Sequence, residues 1–205
     1  MNTSPELPGA PAPGSARRPI YKRWWFWVIA TPIILFIGLV IYRIPAVAEK
    51  ERTQQTVARI HAQKLTMNDV NGEHLPPPPD PAQVDATIEG VDANQNGIRD
   101  DVELAIFKKY PNSARIRAAE LQYAKALQME FTVVFNSETL INTIEEEGRG
   151  YLCVANDART KEVENLVVNT DLRSKFREDI RKRYMASFGL SSENECDIPL
   201  ASLQN

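Results

Sequence analysis

The sequence has little histidine, and this limits the catalytic chemistry open to it. Its only two histidines, His61 and His74, both precede residue 83. The C-terminal part therefore offers no imidazole for a Ser-His-Asp or Cys-His arrangement and no His/Cys zinc site. Generic carboxylates alone do not indicate an active site, so we predict that the chain is not an enzyme.

Residues 83–205 also lack an excess of positive charge. They carry 15 basic and 21 acidic residues. Because nucleic-acid binding requires a basic surface, this balance excludes DNA and RNA as expected partners. An acidic domain is compatible with the binding of a cation.

Residues 1–23 lack the apolar side chains that a folded segment needs. Pro, Gly, Ala and Ser dominate residues 1–19. Such a composition buries too little apolar surface to offset the entropy lost on ordering. We expect residues 1–23 to form a disordered cytoplasmic tail.

Residues 24–42 form an uninterrupted apolar run without a single charge. A helix of this length matches the hydrocarbon core of a bilayer, which is about 30 Å thick. Trp24, Trp25, Trp27 and Tyr42 occupy its ends, as aromatic residues do at membrane interfaces. The run predicts a single transmembrane helix whose partner is the lipid bilayer.

The distribution of basic residues predicts the orientation of this helix. Arg17, Arg18, Lys22 and Arg23 precede the run, whereas the basic residues after it are mixed with acidic ones. By the positive-inside rule the N-terminus is cytoplasmic, which places the C-terminal part in the periplasm at a bacterial inner membrane. The alternative is a signal peptide cleaved after Ala48, but the apolar run exceeds the usual 7–15 residues of such peptides, which favours a signal-anchor.

Residues 43–82 are predicted to separate the membrane helix from the exported domain. Residues 46–65 are predicted to form a polar helical stalk that continues the membrane helix. Its apolar positions are sparse: Val47, Val57, Ile60 and Leu65. Four consecutive prolines, at positions 76–79, then predict an extended linker. The domain itself is expected over residues 83–205.

Helical periodicity dominates residues 83–205 and no confident strand is found, so the predicted fold class is all-α, a small helical bundle. The longest predicted helix carries apolar residues at Ile116, Ala119, Tyr123, Leu127, Phe131 and Val134. A helix from Ser137 is expected to end at Gly148–Gly150. The last helix has an apolar stripe at Leu172, Phe176, Ile180, Tyr184 and Phe188.

Two charged clusters are interpreted as solvated helix surface. One is the run Glu145-Glu146-Glu147. The other surrounds the stripe of the last helix and comprises Arg173, Lys175, Arg177, Arg181, Lys182 and Arg183. A metal or acid/base site in the first and an anionic surface for the second are the less favoured alternatives.

The only two cysteines, Cys153 and Cys196, both lie in the predicted periplasmic domain. An even count in an oxidising compartment predicts a disulfide. Closing this loop would stabilise the fold by about 4 kcal/mol on the chain-entropy estimate. Two buried thiols, or a redox cysteine, are the alternatives.

Oxygen-bearing side chains recur at fixed spacing between Asp92 and Glu103. They fall at places one, three, five, nine and twelve, which are Asp92, Asn94, Asn96, Asp100 and Glu103, and glycine holds place six. A calcium ion needs six to eight oxygens, and a chain supplies them by curling so that alternate side chains point inward. The carbonyl of Ile98 would supply the ligand at place seven.

This stretch resembles the EF-hand and the related DxDxDG loops of bacterial surface and periplasmic proteins. The resemblance implies Ca²⁺ as cofactor and covers these twelve residues only. An EF-hand carries its large aliphatic residue at place eight, whereas here Ile98 is seventh and Arg99 eighth. This difference favours a solitary loop, and the two asparagines imply weak binding, with Kd of about 10⁻⁴–10⁻³ M.

Two functional hypotheses follow. In the first, a membrane-anchored periplasmic protein binds Ca²⁺ through this solitary loop, with a structural role for the ion. In the second, the loop is metal-free and the domain is an envelope scaffold or adaptor for a protein partner. The sequence leaves the oligomeric state open.

Overall fold

The computed structural model describes residues 20–186 and 196–204, with side chains from residue 24 onward. Within these ranges the chain is helical and contains no strand, which confirms the all-α prediction. The helices are α1 (Ile20–Ala62), α2 (Met67–Asn71), α3 (Pro81–Val84), α4 (Asp100–Lys109), α5 (Ala114–Thr132), α6 (Ser137–Val154), α7 (Asp157–Val167) and α8 (Asp171–Tyr184), followed by a 3₁₀ turn (Leu200–Ser202).

The chain divides into two compact units, residues 1–48 and residues 49–205. In the first unit, the large apolar side chains of α1 are exposed. Trp24, near the start of the helix, and Val47, near the end of the unit, are each 64% exposed. Pro32 and Pro45 lie within the helix. By length and composition this helix could span a membrane. The predicted tail falls largely on residues 1–19, outside the described residues.

The second unit begins at Glu49, earlier than the domain boundary expected near residue 83. Residues 49–82 belong to this unit because one side of α1 and the segment after it are buried. Ile60 is fully buried with Met129 and Val133, and Leu65 and Val70 join the main core. Of the sparse apolar positions in the predicted stalk, Ile60 and Leu65 are packed, whereas Val47 is 64% exposed.

Helix α5 lies at the centre of the second unit. Every residue from Arg117 to Phe131 is buried. The predicted apolar positions Ala119, Tyr123, Leu127 and Phe131 are all in the core. Polar residues on the other faces are buried as well, so the sequence stripe showed only part of the packed surface of this helix.

Helix α6 continues through the glycines that were expected to end it. It begins after Asn136, whose side chain accepts a hydrogen bond from the Thr139 N–H at 3.0 Å, and it ends at Val154. A Cβ at Gly150 would lie 2.8 Å from the Tyr123 Cα. Gly150 therefore allows α6 to approach the backbone of α5, and its role is packing rather than termination.

The two charged clusters are partly buried, which corrects their interpretation as solvated surface. Glu146 and Glu147 are 8% and 7% exposed, and Arg173 is 1% exposed. Arg177 and Arg181 also point inward and pair with Glu130 and Glu147. The remaining basic residues of that cluster, Lys175, Lys182 and Arg183, are exposed as expected.

The predicted disulfide between Cys153 and Cys196 is present, with the two Cα atoms 5.3 Å apart. It joins α6 to the C-terminal segment, residues 196–204. Beside it, the Asp197 N–H donates to Gln122 Oε1 at 2.9 Å, and its carboxylate accepts from the Leu65 N–H at 2.9 Å. The bridge and these bonds hold the segment against α5 and against the chain that follows α1.

Candidate metal centre

The loop 92–103 is folded around the side chain of Asp92. This carboxylate accepts hydrogen bonds from the backbone N–H groups of Asn96 (3.2 Å) and Gly97 (2.9 Å). Gly97 has φ +86°, which an L residue rarely adopts, and this explains why glycine occupies the sixth place. The Asn96 side-chain oxygen then accepts from the Ile98 N–H at 2.8 Å.

The end of the loop places Asp100 and Glu103 on the first turn of α4. The Asp100 N–H donates to the Val91 carbonyl at 2.8 Å and closes the base of the loop. The two carboxylates therefore come from a helix, whereas Asp92 comes from the irregular backbone before it.

Glu103 is a buried carboxyl group with only neutral donors around it. Its exposed fraction is 1%, and its oxygens accept from the side-chain amides of Asn94 and Asn96, each at 3.0 Å. Burial raises the pKa of Glu103 to about 7, although the two amide hydrogen bonds oppose this shift. No described Lys, Arg or His nitrogen lies within 4.0 Å of this carboxylate.

Asp100 is buried to the same degree, with 1% of its surface exposed. Its Oδ1 accepts from the Ala93 N–H at 3.0 Å, whereas its Oδ2 is buried and has no hydrogen-bond partner among the described residues. Burial is the main cause that raises the pKa of Asp100, and the nearby charge of Asp92 adds to it. A buried carboxylate oxygen without a partner is costly, and a cation is one group that would satisfy it.

The donor set fits an oxygen-seeking cation only with the help of neutral oxygens. Within the described residues, no three Asp, Glu, His or Cys side chains are grouped so as to hold a metal ion by themselves. The site would therefore need the amide oxygens of Asn94 and Asn96 and the carbonyl of Ile98. Both amides now present nitrogen to Glu103, so an ion would require them to rotate and present oxygen.

The surroundings of the loop are not those of a paired EF-hand. Asp80 caps α3, but α3 ends at Val84, so no long helix enters the loop. Gly90, at φ +71°, leaves room for Arg99, whose Cδ would lie 2.3 Å from a Cβ at that position. Arg99 donates to the carbonyls of Leu166 (2.8 Å) and Val167 (3.1 Å) and so attaches the loop to the end of α7.

Two neighbours of the loop were missed from the sequence because they lie at a distance along the chain. The Asn94 side chain donates to the His74 carbonyl at 2.9 Å. The side chain of Lys125 passes the loop, with its Cε 3.3 Å from the position of a Cβ on Gly97, and its Nζ donates to the Lys64 carbonyl at 3.3 Å. Neither contact has a local sequence signal.

No protein family, no curated protein and no solved structure matches the chain.

Proposed function

We propose that this chain is a membrane-anchored periplasmic protein that binds one calcium ion in the loop 92–103. The observation that carries the proposal is the pair of buried carboxylates, Asp100 and Glu103, which have no cationic partner within the described residues. They lie in a loop whose glycine turn and ligand spacing suit a hard, oxygen-seeking ion.

The ion would be held by six residues and would supply positive charge to a buried acidic site. The ligands proposed are Asp92, Asn94, Asn96, Asp100 and Glu103 through side chains and Ile98 through its carbonyl. Since only three of them carry charge, affinity is weak, with Kd of about 10⁻⁴–10⁻³ M.

We infer a structural role for the ion. The loop touches the chain before it through Asn94 and His74, and it touches the end of α7 through Arg99. The Asn94 bond to His74 would be given up when the amide rotates, whereas neutralising Asp100 and Glu103 would stabilise the Arg99 attachment without a change of fold. The described residues contain no second loop of this kind to pair with this one. The ion would therefore fix the loop and α4 against the end of α7.

The location is supported by two independent features. Four basic residues precede the apolar helix, which favours a cytoplasmic N-terminus at a bacterial inner membrane. The Cys153–Cys196 disulfide suits an oxidising compartment such as the periplasm.

Thermal unfolding of the full-length protein in a neutral detergent tests the proposal. With Kd of about 10⁻⁴–10⁻³ M, 10 mM Ca²⁺ should stabilise the native state by about 1.4–2.7 kcal/mol, because the ion binds only that state. The melting midpoint should rise by about 3–10 °C.

Glu103→Gln should abolish the shift, since it removes the charge of the proposed closing ligand but keeps the size of the side chain. Glu89→Gln is the matched control, because Glu89 is exposed and precedes the loop by two residues. Absence of a calcium shift in the wild type would refute the proposal and leave the scaffold hypothesis. An equal shift in Glu103→Gln would place the ion elsewhere.

A further inference from the structure

The second compact unit contains a cleft of about 480 Å³ that is separate from the metal loop. One wall is the face of α1 that carries Arg52, Gln55, Thr56 and Arg59, and the other is the end of α5 with the start of the α5–α6 connection, residues 132–135. We call it the arginine cleft. Its lining includes two cationic side chains and no carboxylate.

Within the described residues, no carboxylate neutralises the charges of Arg52 and Arg59. No described carboxylate oxygen lies within 4.0 Å of either guanidinium group. This differs from Arg177 and Arg181 of α8, which are paired with the buried Glu130. In a chain of net charge −3, two unneutralised arginines in one concave surface indicate complementarity to an anion.

The two arginines are spaced to act on one ligand. They are seven residues apart on a helix, about two turns, so they share a face and their Cα atoms are about 10.5 Å apart along the axis. The Arg52 guanidinium is held over the Phe135 ring, 4.2 Å from its centroid. This contact restrains one arginine against the cleft wall, whereas the Arg59 guanidinium donates no hydrogen bond to a described residue.

The end of α5 opposes these charges but does not cancel them. Thr132 is the last residue of α5, and a helix C-terminus carries the equivalent of about −0.5 charge. The Thr132 hydroxyl donates to the Gln128 carbonyl at 3.3 Å, and the Val133 N–H donates to the Met129 carbonyl. Two full positive charges outweigh a partial negative one, so the cleft remains favourable to an anion.

We propose that the arginine cleft binds a phosphate ester, with Arg52 and Arg59 as donors to the phosphate oxygens. Guanidinium groups match phosphate geometry through paired N–H donors. The volume exceeds that of a bare phosphate, and Val133, Val134 and Phe135 provide an apolar wall for the organic part. The same chemistry is offered by a phospholipid headgroup and by a soluble phosphate ester.

Calorimetric titration of the full-length protein tests this inference and separates the two sources. The probe is glycerol 1-phosphate, titrated at constant ionic strength into protein in nanodiscs of phosphatidylcholine or of phosphatidylglycerol. Binding is expected in phosphatidylcholine discs. A soluble source predicts the same binding in both discs, whereas a lipid source predicts weaker binding in phosphatidylglycerol, because the lipid headgroup competes.

The double variant Arg52→Gln, Arg59→Gln should weaken binding by roughly 10- to 100-fold, as expected for the loss of charged hydrogen bonds. Both side chains are exposed, so the fold should persist, and a circular dichroism melt checks this. The matched control is Lys182→Gln, Arg183→Gln, which removes the same charge from exposed positions on α8. No heat of binding in phosphatidylcholine discs, or equal affinity in the two double variants, would overturn the proposal.

Discussion

Gly148 and Gly150 lie on the same helix, but a side chain would meet different surroundings at each. A Cβ at Gly150 would approach the Tyr123 backbone to 2.8 Å, whereas one at Gly148 would have no neighbour within 4 Å. We expect Gly150→Ala to destabilise the protein by about 1–3 kcal/mol through overpacking. Gly148→Ala should stabilise it by about 0.5–1 kcal/mol, because alanine favours the helix.

Chemical denaturation of the two variants measures both effects against the wild type. The paired design isolates the close approach of α6 to α5 from the general preference of helices for alanine. Equal changes in the free energy of unfolding for the two variants would show that Gly150 is not needed for this contact.

Glu120 is a second residue whose environment predicts a measurable effect. It is 3% exposed, its Oε1 has no hydrogen-bond partner among the described residues, and Arg159 Nη1 lies 3.9 Å away. Burial raises the pKa of Glu120 from 4.5 to about 7. Between these values the native state holds a proton that the unfolded state has lost, so stability falls as pH rises.

We expect Glu120→Gln to remove this part of the pH dependence. As the pH rises from 4.5 to 8, the free energy of unfolding of the variant should increase by about 1–3 kcal/mol relative to that of the wild type. Urea unfolding at several pH values measures the difference, with Glu138→Gln, an exposed position of α6, as control. Parallel pH profiles for wild type and Glu120→Gln would contradict the account.

At the residue scale, the sequence predicted what depends on local spacing. The turn at Gly97, the place of Glu103 on the first turn of α4 and the partner of Cys153 follow from neighbouring residues or from a count of two cysteines. The burial of Glu120 and the approach of Lys125 to the loop depend on how distant helices pack. No pattern within a short window carries that information.

At the scale of elements, α8 is attached to the unit by buried charges as well as by apolar contacts. Glu130 is 0% exposed and is shared by Arg177 and Arg181, and Glu147 accepts from Arg181 at 2.8 Å. Burial and the neighbouring Glu130 raise the pKa of Glu147 to about 8. The two arginines therefore compensate two buried carboxyl groups from α5 and α6.

Removing Arg177 breaks its pair with the buried Glu130 and leaves Arg181 to compensate both buried carboxyl groups. We expect Arg177→Met to lower the free energy of unfolding by about 3–5 kcal/mol. Lys175 lies on the same helix and is exposed, so Lys175→Met should change the free energy of unfolding by no more than about 0.5 kcal/mol. Chemical denaturation distinguishes the two. Similar small losses would show that the network contributes nothing specific to the attachment of α8.

The elements were predictable where apolar residues recur at helical spacing. This spacing located α5, although it showed only part of the buried surface of that helix. The extent of α6 was wrong because glycines also occur where two helices approach closely, as Gly150 does. The face of α8 was misread because its inward residues include Arg173, Arg177 and Arg181, whose partners lie on other parts of the chain.

At the scale of the whole molecule, the disulfide links α6 to the C-terminal segment across 43 positions of sequence. A bridge of this span stabilises the fold by about 4 kcal/mol through restriction of the unfolded chain. We expect reduction to lower the free energy of unfolding by a similar amount. The double variant Cys153→Ser, Cys196→Ser should show the same loss and no response to reductant.

Denaturant titration with and without reductant measures this contribution. A wild type whose stability is unchanged by complete reduction, verified by thiol counting, would contradict the predicted role of the bridge. If reduction has no effect, the hydrogen bonds of Asp197 with Leu65 and Gln122 would be enough to hold the segment 196–204 in place.

Equilibrium dialysis of the full-length protein against radioactive Ca²⁺ measures directly whether the loop between Asp92 and Glu103 binds calcium. We expect one ion per chain with Kd of about 10⁻⁴–10⁻³ M, and loss of this binding in Glu103→Gln but not in Glu89→Gln. No bound calcium at millimolar concentration, or one ion retained by Glu103→Gln with unchanged affinity, would contradict the proposal.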